Sequence, residues 1–408
     1  MIDTLSFLKR EFSDYYSRCE LDLPQRFGRR EWGFFYFTGS GMQRHLAFNR
    51  LEELREFLMT RTPKHAYHSS AYYQNPDMQP MPKKVEGWMG ADLIFDLDDE
   101  HLSGMENKTP AEKLERVKRI VKDKLLDDFL LTDFGFSEKY LKVVFSGGRG
   151  YHIHVFDPKV LLLESPERRE IVDYITGLGI QYEGKIFRPK VIDSQTRGGY
   201  SKEIRKIEPL ADEREGGWRG RMTRGILALL SDMENQTRDD CIRLIRGVPF
   251  EDEIVSAGRA KKIYEILFGE EIGKRGVDTI RNEKVIEIFE RDKDRDILIN
   301  LARHHSAVMM AGETDEPVTV DTKRLIRLPG SLHGKTGLKV VRIPITDLDD
   351  FYPLSDAIAF DDSRVNVTII KDTDLELGGD RFKLQQGDSA LPKYAAVYLM
   401  LRGWAKAV

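Results

Sequence analysis

Apolar residues recur every three or four positions in several segments of the chain, which predicts amphipathic helices there. In the first half these segments are 1–20, 50–60, 110–129 and 166–182. From about 205 to 305 the chain is charged, favours helix and lacks the alternation typical of strands. We expect this stretch to be an all-helical insertion. The closing segment LPKYAAVYLMLRGWAKAV predicts a terminal helix.

Strand patterns occupy the regions on either side of that insertion. WGFFYF at 32–37, the turn TGSG and the returning MQRHLAF predict a hairpin. ADLIFDLDDE at 91–100 predicts a buried strand, and KVVFSGGRGYHIHVFDP at 142–158 predicts a strand, a glycine-rich turn and a second strand. Strand patterns return at 318–345 and 363–370.

This order of elements predicts a mixed α/β (α+β) core divided by an insertion. We expect residues 1–204 to form the first part of the core and 205–305 the helical insertion. Residues 306–408 would complete the core and end in the terminal helix. A length of 408 residues suits such a division.

Composition limits the classes of function. With 40% hydrophobic residues the chain has enough apolar material for a core. A net charge of −4 excludes a uniformly basic nucleic-acid-binding surface, so any such surface must be local. The two cysteines, Cys19 and Cys241, exclude a disulfide framework and a four-cysteine zinc site. We expect a reduced, cytoplasmic setting, because the start has no signal-peptide pattern and no stretch approaches a membrane span.

The first candidate site is the pair Asp96 and Asp98 within LIFDLDDE. Residues i and i+2 of a strand point to the same face, so the two carboxylates would project together and repel each other. A divalent cation such as Mg²⁺ or Mn²⁺ resolves that conflict. The alternative is that the strand ends here and the acids enter a solvated loop.

The second candidate is SGGRGYHIH at 146–154. Glycines allow backbone amides to approach a phosphate, and Arg149 offers a bidentate fork. The alternative is an ordinary hairpin with glycines for turn geometry. His152 and His154 share one strand face, but the segment offers no cysteine or third histidine for zinc.

The third candidate is RLIRLPGSLHGKTG at 324–337, where cations surround a Pro-Gly break. Small and basic residues together suit a phosphate cradle. Any single cation of this group is equally compatible with a solvated surface charge.

Four segments in this order resemble the small, catalytic subunit of archaeal DNA primase, within the archaeo-eukaryotic primase superfamily. They are SSAYYQNP, GADLIFDLDDEHL, FSGGRGYHIHVF and DEPVTVDTKRLIRLPGSLHGKTGL. The resemblance runs from about residue 30 to 345. It implies a catalytic core of mixed sheets flanked by helices, which synthesises short primers on single-stranded DNA from nucleoside triphosphates.

The resemblance also implies roles for individual residues. Two divalent metals, Mg²⁺ or Mn²⁺, would be held by three aspartates: Asp96, Asp98 and Asp315. Asp321 is the rival for the third position. The residues implied in nucleotide binding are Ser146, Arg149, His152, Arg327, His333, Arg30 and Arg44.

Family members commonly carry a zinc-binding knob after the D-x-D strand. Here the segment HLSGMENKTPAEK has no cysteine and offers only His101, so we expect no structural zinc. The family also implies a heterodimer with a large subunit that contains an iron–sulfur domain, for which this chain has no ligand set.

Two other functions compete with a replicative primase. One is a repair or gap-filling polymerase of the same superfamily, for which a fused ligase, nuclease or helicase module would be expected. The other is a catalytically silent nucleotide-binding subunit of a replication complex. The retained acids argue against the silent subunit, because an inactive site has no need of mutually repelling carboxylates.

Overall fold

The computed structural model describes residues 3–78, 87–100, 102, 105–179, 186, 190–197, 200–207, 209–250, 253–269, 275–307 and 316–408. They belong to two compact units. The first comprises Met1–Asp123, Phe136–Val172 and Glu313–Val408, and the second comprises Lys124–Gly135 and Asp173–Gly312. Every predicted site residue that the structure describes lies in the first unit.

Most of the α-helices lie in segments where the sequence predicts helix. They are α1 (Thr4–Arg18), α2 (Leu51–Arg61), α3 (Pro110–Arg119), α4 (Ser165–Thr176), α5 (Gly217–Glu234), α6 (Arg238–Gly247), α7 (Ala257–Phe268), α8 (Gly276–Glu283), α9 (Asp292–Ala307), α10 (Glu316–Val320), α11 (Pro353–Asp356) and α12 (Lys393–Leu401). A π-helical segment, Ile120–Asp133, follows α3 directly. Thr109 caps α3 through a capping box with Glu112.

The strands are mostly short. They are β1 (Trp32–Phe35), β2 (Gln43–Leu46), β3 (His65–Ser69), β4 (Ala71–Tyr73), β5 (Trp88–Ala91), β6 (Leu93–Asp98), β7 (Leu141–Phe145), β8 (Gly150–Val155), β9 (Lys190–Arg197), β10 (Tyr200–Ile207), β11 (Pro249–Phe250), β12 (Glu253–Ile254), β13 (Leu325–Arg327), β14 (Val341–Ile343), β15 (Arg364–Ile369), β16 (Thr373–Leu377), β17 (Asp380–Leu384), β18 (Gly387–Pro392) and β19 (Ala405–Ala407).

Two four-stranded antiparallel sheets position the candidate site in the first unit. One has the order β13-β3-β1-β2 and the other the order β14-β7-β8-β6. Ile94 of β6, Val318 of α10 and Ile326 of β13 form one buried cluster, which packs the D-x-D strand against the strand that carries Arg327. The C-terminal part adds the sheet β18-β15-β19 and the hairpin β16-β17.

The second unit contains α5 to α9 together with the paired strands β9-β10 and β11-β12. Its best-defined polar anchor is Asp133, which lies at the end of the π-helical segment. This carboxylate accepts hydrogen bonds from the Gly217 backbone at 2.7 Å, from Arg221 at 3.0 Å and from the Tyr174 hydroxyl at 3.1 Å. Arg221 is therefore both paired and buried.

Most of the predicted elements are confirmed. The hairpin is β1-β2, the buried acidic strand is β6, the strand–turn–strand is β7-β8, and the predicted strand at 363–370 is β15. The mixed α+β class is also confirmed. The segment predicted at 110–129 is helical throughout, but it changes from α-helix to π-helix at Ile120.

Three local predictions are wrong. The predicted terminal helix ends at Leu401 as α12, and residues 405–407 form strand β19 because they pair with β15. Residues 318–320 are the end of α10, not strand, because Val318 is buried as a helical residue against β6 and Pro317 suits a first helical turn. The predicted all-helical insertion at 205–305 contains the short hairpin β11-β12, which joins α6 to α7. The last two segments are too short for periodicity to distinguish helix from strand.

We predict that Gly150→Ala destabilises the first unit and displaces β6. Gly150 pairs with Asp98, and a Cβ at this position would lie 2.0 Å from the Leu97 carbonyl oxygen. The expected loss is about 1–3 kcal/mol of unfolding free energy, measured by urea denaturation. Gly41→Ala is the matched control, because a Cβ there meets nothing within 4 Å. Equal stability of the two variants would contradict this account of the β6–β8 contact.

Candidate active site

One cleft of the first unit, with a volume of about 360 Å³, gathers most of the residues singled out from the sequence. The described residues that line it are Asp96, Asp98, Ser146, Gly148, Arg149, Gly150, His152, Arg327, His333, Lys335, Thr336 and Arg402. Seven of them were predicted site residues: Asp96, Asp98, Ser146, Arg149, His152, Arg327 and His333. Three motifs that are distant in sequence therefore meet at one place.

The pleat of β6 brings Asp96 and Asp98 to the cleft. Each side chain retains about a quarter of its accessible surface, 25% in both cases. Asp96 pairs in register with His152 of β8, whose Nε2 lies 3.3 Å from Asp96 Oδ1. Both acids belong to β6 and line the cleft, so the solvated-loop alternative does not describe them.

Arg149 compensates part of this negative charge. Its guanidinium lies 3.9 Å from Asp98 and 3.6 Å from Asp99, and it also forms an ion pair with Glu100. The Arg149 side chain is half exposed, at 50%. It is held by charge and not by packing, so it is free to exchange one anionic partner for another.

The glycine-rich turn packs directly on the third motif. Gly147 has φ +75°, and a Cβ there would lie 2.7 Å from His333 Cβ. The Thr336 hydroxyl donates to the Gly147 carbonyl at 2.6 Å, and Thr336 Oγ1 lies 3.0 Å from His333 Nδ1. Only a glycine tolerates both the conformation and the close approach, so this turn fixes His333 beside the backbone amide of Gly148.

His65 on β3 holds Arg327 in place. The Arg327 guanidinium donates to His65 Nδ1 at 2.7 Å, and the Gly334 backbone N–H donates to the same nitrogen at 3.1 Å. The guanidinium also stands over the Tyr67 ring at 5.1 Å. His65 was not predicted from the sequence, because its link to Arg327 spans 262 positions and follows no local motif.

Burial lowers the pKa of His65 and His333, which favours their neutral forms. Burial, reinforced by the charges of Arg327, Lys64 and Lys335, lowers the pKa of His65 to about 2. Burial and the Arg327 charge hold the pKa of His333 well below its usual value. A neutral His65 can accept from Arg327, which a protonated imidazole cannot do.

The side of the cleft formed by the third motif has more positive than negative charge. Within the part of the chain that the structure describes, no carboxylate lies within ion-pair distance of Arg327, Lys335 or Arg402. Burial lowers the pKa of Arg327, because a charge held away from water is destabilised. Unpaired cations in a cleft form a site for an anion with several oxygens.

Arg30 and Arg44 do not line this cleft. Arg30 is buried and pairs with Asp92 at 2.6 Å, with the Ser69 carbonyl at 2.6 Å and with the Tyr72 hydroxyl at 2.9 Å. Arg44 makes a bidentate pair with the buried Glu31 at 2.9 and 3.0 Å. Their nucleotide contacts therefore stay a prediction that the observed pairing does not support.

Asp315, the predicted third metal ligand, and His101, the lone candidate of the shortened knob, lie outside the described residues. Asp321 is described: its carboxylate accepts from the Lys323 backbone at 2.8 Å, and it does not line the cleft. The described residues, which do not include Asp315, contain no group of three or more acids, histidines or cysteines able to hold a metal ion.

Lys335, Thr336 and Arg402 also line the cleft but were not named as site residues. Lys335 and Thr336 stand inside the third motif, so the motif itself was the signal. Arg402 follows α12 in a segment without any motif, and nothing in its sequence neighbourhood indicates a site.

Residues 95–346 match the DNA primase small subunit family. The chain is 40% identical over 406 residues to the DNA primase small subunit PriS of Methanothrix thermoacetophila, which covers 99% of this chain and 98% of that protein. It is 40% identical to PriS of Methanocella arvoryzae over 98% of both chains. It is 35% identical to PriS of Haloarcula marismortui over 99% of this chain and 98% of the relative. The chain belongs to the DNA primase small subunit family.

The family match includes Asp96, Asp98 and the residues of the second and third motifs, while Arg402 lies beyond it. The resemblance inferred from the motifs is thereby confirmed. No helix among the described residues of this primase small subunit is both long and apolar enough to span a membrane.

We predict that His65→Phe raises the nucleotide KM roughly tenfold or more. A hydrogen bond to a charged group contributes about 1.5–3 kcal/mol, and this one fixes Arg327. Steady-state kinetics should be paired with urea denaturation, which reports any loss of stability. In an Arg327→Ala background the same substitution should change KM little. Additive effects of the two substitutions would contradict the positioning role.

Proposed function

We propose that this chain is the catalytic subunit of a DNA primase and synthesises short primers on single-stranded DNA by two-metal nucleotidyl transfer. The observation that carries the proposal is the composition of one cleft. Two same-face carboxylates of β6 share it with Arg327 and Lys335, which have no described carboxylate within ion-pair distance. Acids for a metal and cations for a triphosphate are both required for this reaction.

The carboxylate pair fits Mg²⁺ or Mn²⁺. Asp96 and Asp98 offer hard oxygen ligands, are partly accessible, and repel each other unless a cation lies between them. The Asp98 contact with Arg149 at 3.9 Å is too long to neutralise it fully. We propose Asp315 as the third ligand, since Asp321 is engaged with the Lys323 backbone. Bound metal would activate the attacking 3′-hydroxyl and neutralise the leaving pyrophosphate.

The side chains of the cleft would then bind and orient the triphosphate. Ser146 and the Gly148 amide lie at the turn between β7 and β8, where small residues leave room for phosphate oxygens. Arg327, held by His65, presents a preoriented guanidinium, and Lys335 adds a second positive charge. Arg149 would exchange its contact with Asp98 for a phosphate oxygen once that carboxylate holds a cation.

The names of the relatives describe them as small subunits. We propose that this chain likewise works as a heterodimer with a large subunit that contains an iron–sulfur domain, and that it acts in the cytoplasm. The large subunit would help to position the first nucleotide, because the first attacking hydroxyl of a primer belongs to a free nucleotide.

Primer synthesis on a single-stranded template tests the function directly. It should be measured with ribo- and deoxyribonucleotides separately, with and without the large subunit. We predict that Asp96→Asn, Asp98→Asn and Asp315→Asn each reduce synthesis by orders of magnitude without lowering stability, because each removes a metal ligand and relieves repulsion.

Asp321→Asn is the control for the third ligand and should retain activity. Loss of synthesis in Asp321→Asn, with wild-type activity in Asp315→Asn, would show that the third ligand is wrongly chosen. Wild-type synthesis in Asp96→Asn and Asp98→Asn would contradict the proposed site itself.

We predict that Arg149→Ala and His333→Ala raise the nucleotide KM and lower kcat. Both side chains line the cleft beside the glycine-rich turn, where the triphosphate would lie. Arg119→Ala serves as the control, because Arg119 is exposed and its contact is with Glu115 at 3.1 Å. Unchanged nucleotide kinetics in both cleft variants would contradict the phosphate-binding assignment.

A further inference from the structure

A series of alternating cations and aromatic rings leads away from the cleft on the C-terminal part of the first unit. Arg402 stands over the Tyr398 ring at 5.0 Å and over the Trp404 ring at 5.5 Å. Lys371 stands over the same Trp404 ring at 5.3 Å. We call these residues, Tyr398, Arg402, Trp404 and Lys371, the cation–aromatic ladder.

The backbone holds the ladder in a fixed place. The Trp404 N–H donates to the Leu399 carbonyl at 2.8 Å, and the Ile370 N–H donates to the Trp404 carbonyl at 2.8 Å. The pairing of β15 with β19 therefore keeps Lys371 beside the indole. Arg402 also donates to the Tyr398 hydroxyl at 3.0 Å. The two charges are positioned by aromatic surfaces and not by acids.

Both cations of the ladder are exposed and available to a ligand. No carboxylate in the described part of the chain lies within ion-pair distance of either, although most exposed arginines of this unit, such as Arg381 with Asp374, are paired. Asp372, the neighbour of Lys371, is directed to the Gln386 backbone N–H, to which it is hydrogen-bonded at 2.9 Å. The ladder thus carries uncompensated positive charge.

The ladder is continuous with the cleft, because Arg402 belongs to both. Lys371 and Trp404 do not line the cleft and so lie beyond it. A nucleoside triphosphate bound at the third motif could reach Arg402, whereas a polynucleotide leaving the cleft would meet Arg402 first and Lys371 next. The two cations lie one after the other, which favours a polynucleotide over a nucleoside triphosphate as their ligand.

We propose that the cation–aromatic ladder binds the phosphodiester backbone of a nucleic-acid strand that enters or leaves the cleft. Both cations stand over the indole, so the contact is made through phosphate oxygens and not through base stacking on Trp404. Binding at the ladder is therefore independent of sequence and sensitive to salt. This inference rests on the proposed function, which supplies the strand.

Equilibrium binding of fluorescein-labelled oligonucleotides tests the ladder. The full-length protein is titrated, without metal or nucleotide, onto a single-stranded template and onto a primer–template duplex of the same sequence, over a range of salt concentrations. Lys371→Gln and the double variant Lys371→Gln/Arg402→Gln are compared with Lys383→Gln. Lys383 is an exposed cation of the β16-β17 hairpin without a ring contact in the described part of the chain. Urea denaturation verifies the fold of each variant.

We expect the double variant to bind several-fold more weakly. For single-stranded DNA, the slope of log affinity against log salt concentration should become shallower by about 1.4, or about 0.7 for each lost phosphate contact. Lys371→Gln should lose about half of that, and Lys383→Gln should bind as the wild type does. Weakening confined to the single strand identifies the template as the ligand; weakening confined to the duplex identifies the growing primer.

Three results would overturn the inference: unchanged binding and salt dependence in the double variant, an equal loss in Lys383→Gln, or a raised nucleotide KM with unchanged strand binding. The last would assign Arg402 to the triphosphate. Because the titration needs no catalysis, loss of primer synthesis and loss of strand binding are distinguishable.

Discussion

The arrangement of the first unit depends on two like charges that a β-strand forces onto one face. Asp96 and Asp98 are separated by a single residue in β6, so the pleat gives them no means of turning apart. Without a counter-ion the pair is unfavourable, and the neighbouring groups reduce this cost only in part. His152 places Nε2 within 3.3 Å of Asp96 Oδ1, and Arg149 contributes a distant and solvent-exposed charge.

The other residues of the cleft accommodate β6 and its two carboxylates. Gly150 allows β8 to approach β6, and Gly147 lets the following turn pack on His333. Arg327 of the third motif lies on a different sheet and is positioned by His65, not by an acid. The two carboxylates of β6 and the cations Arg327 and Lys335 therefore share one cleft without a direct ion pair between them, and both groups are available to a substrate.

Much of this could be predicted from sequence because it is local. The same-face carboxylates follow from the period of a strand, and the turn between β7 and β8 follows from its glycines. His65 and Arg402 could not be predicted, since tertiary packing alone brings them to the cleft. Arg30 illustrates the opposite case: the family resemblance implied a nucleotide contact, but Asp92, 62 positions away, is its partner. At 318–320 β-branched residues favoured strand, and burial against β6 selected helix.

Binding of Mn²⁺ to the purified chain, followed by the electron paramagnetic resonance signal of free Mn²⁺, tests the central claim most directly. In the presence of a non-cleavable nucleotide analogue, the wild-type protein should remove Mn²⁺ from solution, and a variant with both Asp96 and Asp98 changed to asparagine should not. Asp99→Asn, an acid of the same segment that does not line the cleft, should bind as the wild type does. Undiminished Mn²⁺ binding by the double variant would contradict the claim that the face of β6 is the metal site.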